Sequence, residues 1–190
     1  ALLVKGCDSR AVNQLLVEKG INRDRVIVVG LPCPGMVDWK LLAEKYPETE
    51  APVEMRWQGD DFLLVHNGQE IVVPRAEALA EKCRLCRHPN PVISDATVGE
   101  PVQPWEPAED SGVGEIEAKS APERWAYWEE QFSKCLRCYS CRNVCPLCYC
   151  EDCILDRLNP TWVNRAFNFS ENTAFHLARA FHLAGRCIEC

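Results

Sequence analysis

Long apolar runs, basic runs and a secretory leader are all missing from this sequence. Its longest apolar runs, such as VIVVGLP at 26–32, are far too short to cross a bilayer. No positively charged segment followed by an apolar stretch is present, as a signal peptide would require. The formal net charge is −7, and no Lys/Arg-rich run supplies the basic footprint that phosphate contacts need. The sequence therefore predicts no transmembrane segment and no nucleic-acid partner.

The familiar catalytic signatures are also missing. The sequence contains no nucleophile–base pair, no Walker-type loop and no GxGxxG. We therefore predict no catalytic residue, and the cofactor-binding residues stay unknown. Gly30 and Gly35 flank a tight turn after an apolar segment, which is a weak indication of a loop that approaches a cofactor. Surface or packing roles are expected for the four histidines, which are His66, His88, His176 and His182.

Cysteine is what the sequence has in excess, with 13 among 190 residues. A disulfide framework is typical of short secreted chains with little core, whereas 47% of this chain is hydrophobic. Many of the cysteines are separated by two residues, as metal ligands are. We therefore expect metal ligation rather than disulfides.

The first segment, 1–93, is predicted to be a small α/β domain. LLVKG is patterned as a short apolar strand and RVIVVG as a buried, parallel-type strand. Between them a helix is predicted that Asp8 or Ser9 caps and Gly20 ends. A β-hairpin is predicted over 52–73, with a type I′ turn at Asn67-Gly68. A short helix with Pro74 in its first turn is predicted over 74–83.

The rest of the chain divides into two further segments. The acidic, Pro-rich stretch 94–123 predicts an exposed linker or surface arm, because it lacks apolar residues for a core. The segment 124–190 is predicted to be helical. Its aromatic stripe, which consists of Trp125, Trp128 and Phe132, is expected in the core. Its last helix should begin at Ser170 and end at Gly185. The expected fold class is α+β, with a small α/β unit and a β-hairpin followed by a mainly helical dicluster ferredoxin-like domain.

The strongest motif is a C-x2-C-x2-C-x3-C run followed by Pro146. Its members are Cys135, Cys138, Cys141 and Cys145. This is the bacterial ferredoxin spacing, in which the fourth cysteine ligates the neighbouring cluster. Three closely spaced thiolates can surround one [4Fe–4S] cube, while the fourth points away from it.

The same rule predicts a second cluster at the end of the chain. Cys187-Ile-Glu-Cys190 is the beginning of a similar run. Cluster one would use Cys135, Cys138 and Cys141, and cluster two would use Cys145, Cys187 and Cys190. Each lacks one cysteine. Because the chain starts without Met and stops inside this motif, we expect it to be a piece of a longer polypeptide.

The remaining cysteines predict a third metal site. Cys83, Cys86, Cys150 and Cys153 form a CxxC…CxxC set that could enclose one tetrahedral ion. A third [4Fe–4S] cluster is favoured over zinc because of the neighbouring motif, and free buried thiols are the remaining alternative. Cys33 or Cys148 could replace one ligand. Cys7 is expected to be a lone buried cysteine.

Two stretches resemble known families. KGCDSRAVNQLLVEKGINRDRVIVVGLPCPGMVD resembles the N-terminal part of the beta subunits of deazaflavin-dependent hydrogenases and formate dehydrogenases. FSKCLRCYSCRNVCPLCYCEDC with FHLARAFHLAGRCIEC is similar to the dicluster ferredoxin region of relatives of that family and of heterodisulfide-reductase-associated subunits. The resemblance implies an electron-transfer subunit of an oxidoreductase in an anaerobe's cytoplasm. It also implies FAD, held by this chain or by a partner, but no flavin-contacting residue can be matched.

The leading hypothesis is a non-catalytic iron–sulfur subunit of a multi-subunit complex. It would relay single electrons through two ferredoxin-type clusters and a third between a catalytic or flavin partner and a redox carrier. The expected partners are a flavoprotein, a hydrogenase or formate dehydrogenase, or a heterodisulfide-reductase-like subunit. The alternatives are a flavin-dependent reductase of deazaflavin or a thiol/disulfide substrate, and a zinc-bound structural adaptor. Substrates, reduction potentials and the direction of electron flow do not follow from the sequence.

Overall fold

The computed structural model describes residues 1–46, 54–59, 61–66, 68–105 and 112–189. It contains both helices and strands, as the α+β prediction requires. The strands are β1 (Leu2–Val4), β2 (Val28–Gly30), β3 (Glu54–Gln58), β4 (Asp61–His66), β5 (Gln69–Val73) and β6 (Ala96–Thr97). The helices are α1 (Gly6–Val17), α2 (Trp39–Lys45), α3 (Arg75–Ala78), α4 (Glu81–Arg84), α5 (Val113–Glu117), α6 (Ala121–Ser133), α7 (Ser140–Asn143) and α8 (Phe169–Leu183).

The chain forms two compact units. The first comprises Ala1–Cys7 and Ile27–Glu109, and the second comprises Asp8–Val26 and Asp110–Cys190. Helix α1 therefore starts in the first unit and continues in the second. The domain limits proposed from the sequence, at residues 93 and 123, stay a prediction.

A parallel sheet of order β1-β2-β6 forms part of the first unit. The parallel pairing of β1 with β2, in which Leu3 lies opposite Val29, confirms the predicted strands. The third strand, β6, comes from the acidic segment that the sequence predicted as a linker or surface arm. Asp95 joins it to β2, because its carboxylate accepts the Val28 N–H at 2.8 Å. The residues of β6 themselves stay exposed.

The predicted cap of α1 is wrong. The helix begins at Gly6, so Asp8 lies in its first turn and Ser9 is fully buried. The beginning is fixed by packing instead. A Cβ on Gly6 would lie 1.7 Å from the His88 carbonyl oxygen, so only glycine fits at this point.

At the other end of α1, the left-handed residue is Lys19, with φ of 60°, and not Gly20 as predicted. The Lys19 N–H donates to the Leu16 carbonyl at 3.0 Å, and the Gly20 N–H donates to the Leu15 carbonyl at 2.8 Å. This is the bonding pattern of a Schellman motif. Gly20 lies close to another side chain, since a Cβ there would lie 3.3 Å from the Tyr149 ring.

An antiparallel sheet of order β3-β4-β5 completes the first unit. The pairing of His66 with Gln69 confirms the predicted hairpin. Asn67 of its turn lies outside the described residues, and Gly68 has a φ of +77°. The apolar core of this part consists of Leu42, Phe62, Leu64, Val73, Ala78 and Leu79.

The single helix predicted over 74–83 is wrong, because the structure has α3 and α4 there with a break between them. Leu79 is extended at the break, pairs with Val37 and is 1% exposed. A Cβ on Gly35 would lie 2.6 Å from Leu79, and a Cβ on Gly30 would lie 2.8 Å from Pro91. Close packing within the chain therefore accounts for both glycines.

In the second unit, α6 packs against α8. Helix α6 begins with a capping box between Ser120 and Glu123. The cap of α8 is Asn168, whose side chain accepts from the Glu171 N–H, so the prediction of Ser170 is wrong. The predicted end at Gly185 is confirmed, since its φ of +71° follows the last helical turn.

The aromatic stripe of α6 is not in the core, contrary to prediction. Trp125 is 50% exposed and Trp128 is 40% exposed. Trp125 meets Phe169 edge to face, with ring centroids 5.8 Å apart. Phe132 stacks on His176 at 4.8 Å, which gives this histidine the predicted packing role. Over the described ranges, no helix is long and apolar enough to cross a membrane.

Candidate metal centre

The ferredoxin-like run lies on the loop between α6 and α8. Cys135 follows α6, Cys141 lies on α7, and Cys145 follows it. Two residues between these cysteines have positive φ although neither is glycine: 55° at Arg137 and 61° at Tyr139. Such a backbone costs about 1–2 kcal/mol per residue, so it persists only where the surroundings enforce it. The positive φ values of Arg137 and Tyr139 are therefore imposed by contacts with the rest of the fold and not by local backbone preference.

This backbone directs an amide at a thiol. The Arg137 N–H donates to the Cys135 sulfur at 3.4 Å. The same geometry recurs at the end of the chain, where Glu189 has a φ of 59° and its N–H donates to the Cys187 sulfur at 3.4 Å. The two CxxC beginnings thus share one local structure. Amide donors to cysteine sulfur are among the means by which proteins tune iron–sulfur clusters.

Arg137 anchors the first loop. It is 6% exposed, and its guanidinium donates to the Glu171 carbonyl at 2.8 Å and to the Asn164 carbonyl at 2.9 Å. It also lies 4.3 Å from the centre of the Phe175 ring. Asn172, which is 4% exposed, holds the other side of the loop, because its amide donates to the Cys135 carbonyl at 3.1 Å.

Several buried donors around this loop have no acceptor within the described residues. They are the Arg137 Nε, the Tyr139 hydroxyl and the Arg179 Nε. Arg179 reaches the same loop through its other nitrogen, which donates to the Cys141 carbonyl at 2.9 Å. Buried donors in folded proteins nearly always have partners. A cluster bound by these cysteines would supply sulfur acceptors, so the residues present fit such a group.

Cys145 packs close to the chain segment that contains the second run, which begins at Cys187. It packs against an apolar cluster formed by Ala11, Leu147 and Ile188. The Ile188 carbonyl, next to Cys187, accepts from Arg10 of α1 at 2.8 Å. The fold thus brings Cys145 into the same apolar cluster as the chain segment that contains Cys187. Cys190 lies outside the described residues.

Cys148, Cys150 and Cys153 line a cavity in the second unit, of about 50 Å³. Its other polar lining residues are Arg142, Arg179, His182 and Arg186. Burial raises the pKa of the Cys148 thiol, and the neighbouring Cys145 thiol raises it further. The cavity is therefore basic and rich in thiols. His182 is an exposed residue, as predicted.

The other predicted ligands lie in the first unit. The Cys83 sulfur accepts from the Met36 N–H at 3.4 Å, and the Cys86 sulfur accepts from the His88 N–H at 3.3 Å. Cys33 follows β2, and Cys7 is half-buried in α1 rather than fully buried as predicted. The set Cys83, Cys86, Cys150 and Cys153 thus draws on both units and stays a prediction. As the described side chains are placed, no three Cys, His, Asp or Glu could hold one metal ion.

An ion pair ties α1 to the end of α8. Arg186 pairs with Glu18 through two guanidinium nitrogens, and Tyr149 donates to Glu18 at 2.7 Å. The hydrogen bonds from Arg186, then those from Gln14 and Tyr149, lower the pKa of Glu18 to about 2. This network lies one residue away from Cys187.

We expect the second unit to lose stability as the pH falls from about 4.5 to about 2, because Glu18 is ionised only when folded in that window. A carboxyl group whose pKa is lower in the folded state than in the unfolded state stabilises the fold at pH values above the unfolded-state pKa. This stabilisation is lost as the pH falls through the folded-state pKa. Glu18→Gln should flatten this part of the acid dependence and cost about 1–2 kcal/mol at neutral pH. Thermal midpoints by circular dichroism across pH 2–7 measure it, with the exposed Glu129→Gln as control. Parallel pH profiles for both variants would contradict the assignment.

The sequence did not point to Arg137, Asn172, Arg179 or the pair of Glu18 with Arg186. These residues lie far apart along the chain, and none stands at a characteristic spacing. The one available signal was the position of Arg137 inside the CxxC motif itself. Only the fold shows that its guanidinium is buried.

The chain matches no protein-family model. It is similar to the F420-dependent formate dehydrogenase subunit beta of Methanocaldococcus jannaschii, with 24% identity over 248 aligned positions that cover 100% of this chain and 64% of the relative. This relative is a subunit of an oxidoreductase, formate dehydrogenase. A second is the F420-dependent formate dehydrogenase 1 subunit beta of Methanococcus maripaludis, with 26% identity over 216 positions, 82% of this chain and 56% of the relative. The chain thus spans less than two thirds of the length of these relatives.

Proposed function

We propose that this chain is an iron–sulfur electron-transfer subunit of a multi-subunit oxidoreductase. The observation that carries the proposal is the shared geometry of two CxxC loops. In both, the residue before the second cysteine has positive φ and directs its N–H at the sulfur of the first, at Cys135 and again at Cys187. A ferredoxin with two clusters uses two cysteine runs of this type, so a repeated loop geometry supports the proposal.

The proposed ligands follow the ferredoxin pattern. Cys135, Cys138 and Cys141 would hold the first cluster, and Cys145, Cys187 and Cys190 would hold the second. The contact of Cys145 with the apolar cluster around Ile188 supports the crossing of the fourth ligand. Each site also needs one cysteine that does not belong to these six. When bound, [4Fe–4S] clusters supply reversible one-electron redox chemistry.

The residues of the chain position the ligands and tune their environment. Arg137 fixes the first loop, because its guanidinium donates to two carbonyls outside the CxxC motif and so places a positive charge at the base of the loop. Its Nε and the Tyr139 hydroxyl are buried donors without a partner among the described residues, and they would be available to the sulfur atoms of a bound cluster. Positive charge and donors favour the reduced, more negative form of a cluster, so they raise its reduction potential. Phe175, at 1% exposure, helps to exclude water from this loop.

The names of the relatives support the assignment to a complex. Both are beta subunits of F420-dependent formate dehydrogenase. The proposed partners are accordingly a catalytic hydrogenase or formate dehydrogenase subunit, or a heterodisulfide-reductase-like one, and a flavoprotein that holds FAD. The chain would relay electrons between these partners and a redox carrier.

The test is metal analysis and electron paramagnetic resonance of the anaerobically purified protein, extended past Cys190 to include further cysteines. We expect about eight irons or more per chain and signals that appear on reduction. Stoichiometric zinc without a reducible signal would contradict the proposal. FAD that stays bound to this chain without a partner would instead support a flavin-dependent reductase.

A further inference from the structure

Three cysteines of the second unit take no part in the ferredoxin pattern: Cys148, Cys150 and Cys153. Buried leucines hold their segment at both ends. Leu147 packs in the same apolar cluster as Leu183 of α8. Leu155 packs with Phe175 of the same helix. The segment that carries the three thiols is therefore fixed against α8.

The three thiols and His182 of α8 line one cavity of about 50 Å³. Arg179 lies three residues before His182, so both project from the same side of the helix. Just beyond α8, Arg186 donates to the Leu147 carbonyl at 3.4 Å, which joins the helix end to the thiol-bearing segment. The apolar walls of the cavity are Leu147, Leu155 and Leu183. The fold thus places three thiols and an imidazole around one space.

Each of the three thiols has an arginine as an electrostatic neighbour. The pairs are Cys148 with Arg179, Cys150 with Arg186, and Cys153 with Arg142. Two of the arginines are also held by carboxylates, Arg142 by Asp156 and Arg186 by Glu18. A divalent ion bound by three thiolates and a neutral imidazole carries one net negative charge. Charge in a partly buried site is costly unless it is compensated, and the arginines provide the compensation.

We propose that the second unit holds one structural Zn²⁺ ion, bound by Cys148, Cys150, Cys153 and His182. Three cysteines and one histidine are a usual ligand set of structural zinc, and four protein ligands leave no open position for catalysis. A cavity holds a water-sized body from about 10–15 Å³ upwards, so this one has room for the ion. The side chains have to turn towards a common centre, because as placed no three described Cys, His, Asp or Glu side chains could hold one ion.

This site differs from the set predicted from the sequence. It takes Cys150 and Cys153 away from Cys83 and Cys86, and it gives His182 a role beyond the surface or packing role that was expected. The ion would join the thiol-bearing segment to α8. The proposal does not rest on the ferredoxin-type clusters, since none of its residues belongs to them.

The first experiment follows each thiol. The chain extended past Cys190 is purified anaerobically, stripped of zinc with a chelator, and alkylated with and without added zinc, and mass spectrometry measures the modification of each cysteine. We expect Cys148, Cys150 and Cys153 to become protected together by about one zinc per chain. Alkylation of any of the three at the zinc-free rate would overturn the proposal. Protection that requires iron and sulfide in place of zinc would also overturn it, because the site would then hold a cluster.

The second experiment tests the histidine. His182→Ala should weaken zinc binding at the three thiols by about 100-fold or more, because loss of a residue that only orients a metal ligand already costs about 10–100-fold. His182→Cys should restore the binding, since a fourth thiolate also completes a tetrahedral zinc site. The matched control is Phe181→Ala, because Phe181 is 78% exposed and offers no ligand. Equal zinc affinity in His182→Ala and Phe181→Ala would overturn the proposal.

The third experiment separates this site from the set predicted from the sequence. Cys150→Ser should lose about one zinc per chain and leave Cys148 and Cys153 unprotected. Glu151→Gln is the control in the same segment, because Glu151 is exposed, and it should keep the zinc. Cys83→Ser should leave the three thiols protected. Loss of that protection in Cys83→Ser would overturn the proposal in favour of the earlier set.

The two proposals fail separately. Cys135, Cys138 and Cys141 are followed in the same alkylation experiment and report on the ferredoxin-type run. If their cluster protects these three while zinc does not protect the thiols of the cavity, the zinc site is wrong and the electron-transfer proposal stands. The reverse result would contradict the electron-transfer proposal alone.

Discussion

Cys138→Ser, made in the protein extended past Cys190, is expected to remove about four irons per chain, because the first cluster would lose one of its four thiolates. Cys138 lies between Arg137 and Tyr139, the two residues with positive φ, and its own side chain is exposed. The serine side chain has nearly the same size, so the loop should keep its fold. The first unit should be unaffected, since it shares no ligand with this cluster. Iron content and the reduced-state spin signal measure the effect.

The matched control is Leu136→Ala. Leu136 lies in the same CxxC and is 77% exposed, so truncating it removes no thiol and little packing. We expect this variant to retain all of its iron. If Cys138→Ser also retained its iron, the ligand assignment would be contradicted. Loss of iron in Leu136→Ala to the same extent would show that any change in the loop releases metal.

Arg137→Met is expected to have the largest effect on stability. The change leaves the carbonyls of Glu171 and Asn164 without their buried guanidinium donor. Hydrogen bonds to a charged group contribute about 1.5–3 kcal/mol each, and both of the lost bonds are partly buried, so we expect a total of about 2–4 kcal/mol. In a chain of this length that corresponds to a fall of about 5–15 °C in the thermal midpoint.

Circular dichroism of the anaerobic protein measures this fall, and Arg165→Met is the control because Arg165 is exposed in the same unit. If the Arg137 Nε donates to a cluster sulfur, the reduction potential of Arg137→Met should also be more negative. An unchanged midpoint would contradict the anchoring role. An unchanged potential in a variant that keeps its iron would contradict the donor role.

Several strands and one helix end were predicted correctly from short patterns in the sequence. The parallel strands β1 and β2 and the hairpin of β4 with β5 follow from short apolar runs and turn residues. The end of α8 at Gly185 follows from the freedom of glycine at positive φ. The hairpin and the end of α8 depend on interactions between near neighbours along the chain, whereas each strand of the parallel pair is recognised from its own short apolar run.

The errors have a common physical cause. The beginning of α1 is set by the carbonyl of His88, more than 80 positions away along the chain, and not by a capping side chain. The helix over 74–83 is broken because Leu79 is drawn into the core and pairs with Val37. The stripe of Trp125 and Trp128 has helical spacing, but α8 covers only part of it. In each case a distant contact outweighs a local preference.

For the candidate site, the sequence by itself determined which thiols are available and how they are spaced, because the ferredoxin run is a property of the covalent chain. Only the tertiary structure decided what surrounds them. It buries Arg137 beneath its own motif, brings Cys145 towards the segment of Cys187, and gathers Cys33, Cys83 and Cys86 around a single loop. Spacing is local and can be counted along the chain, whereas burial and proximity arise only when distant segments pack.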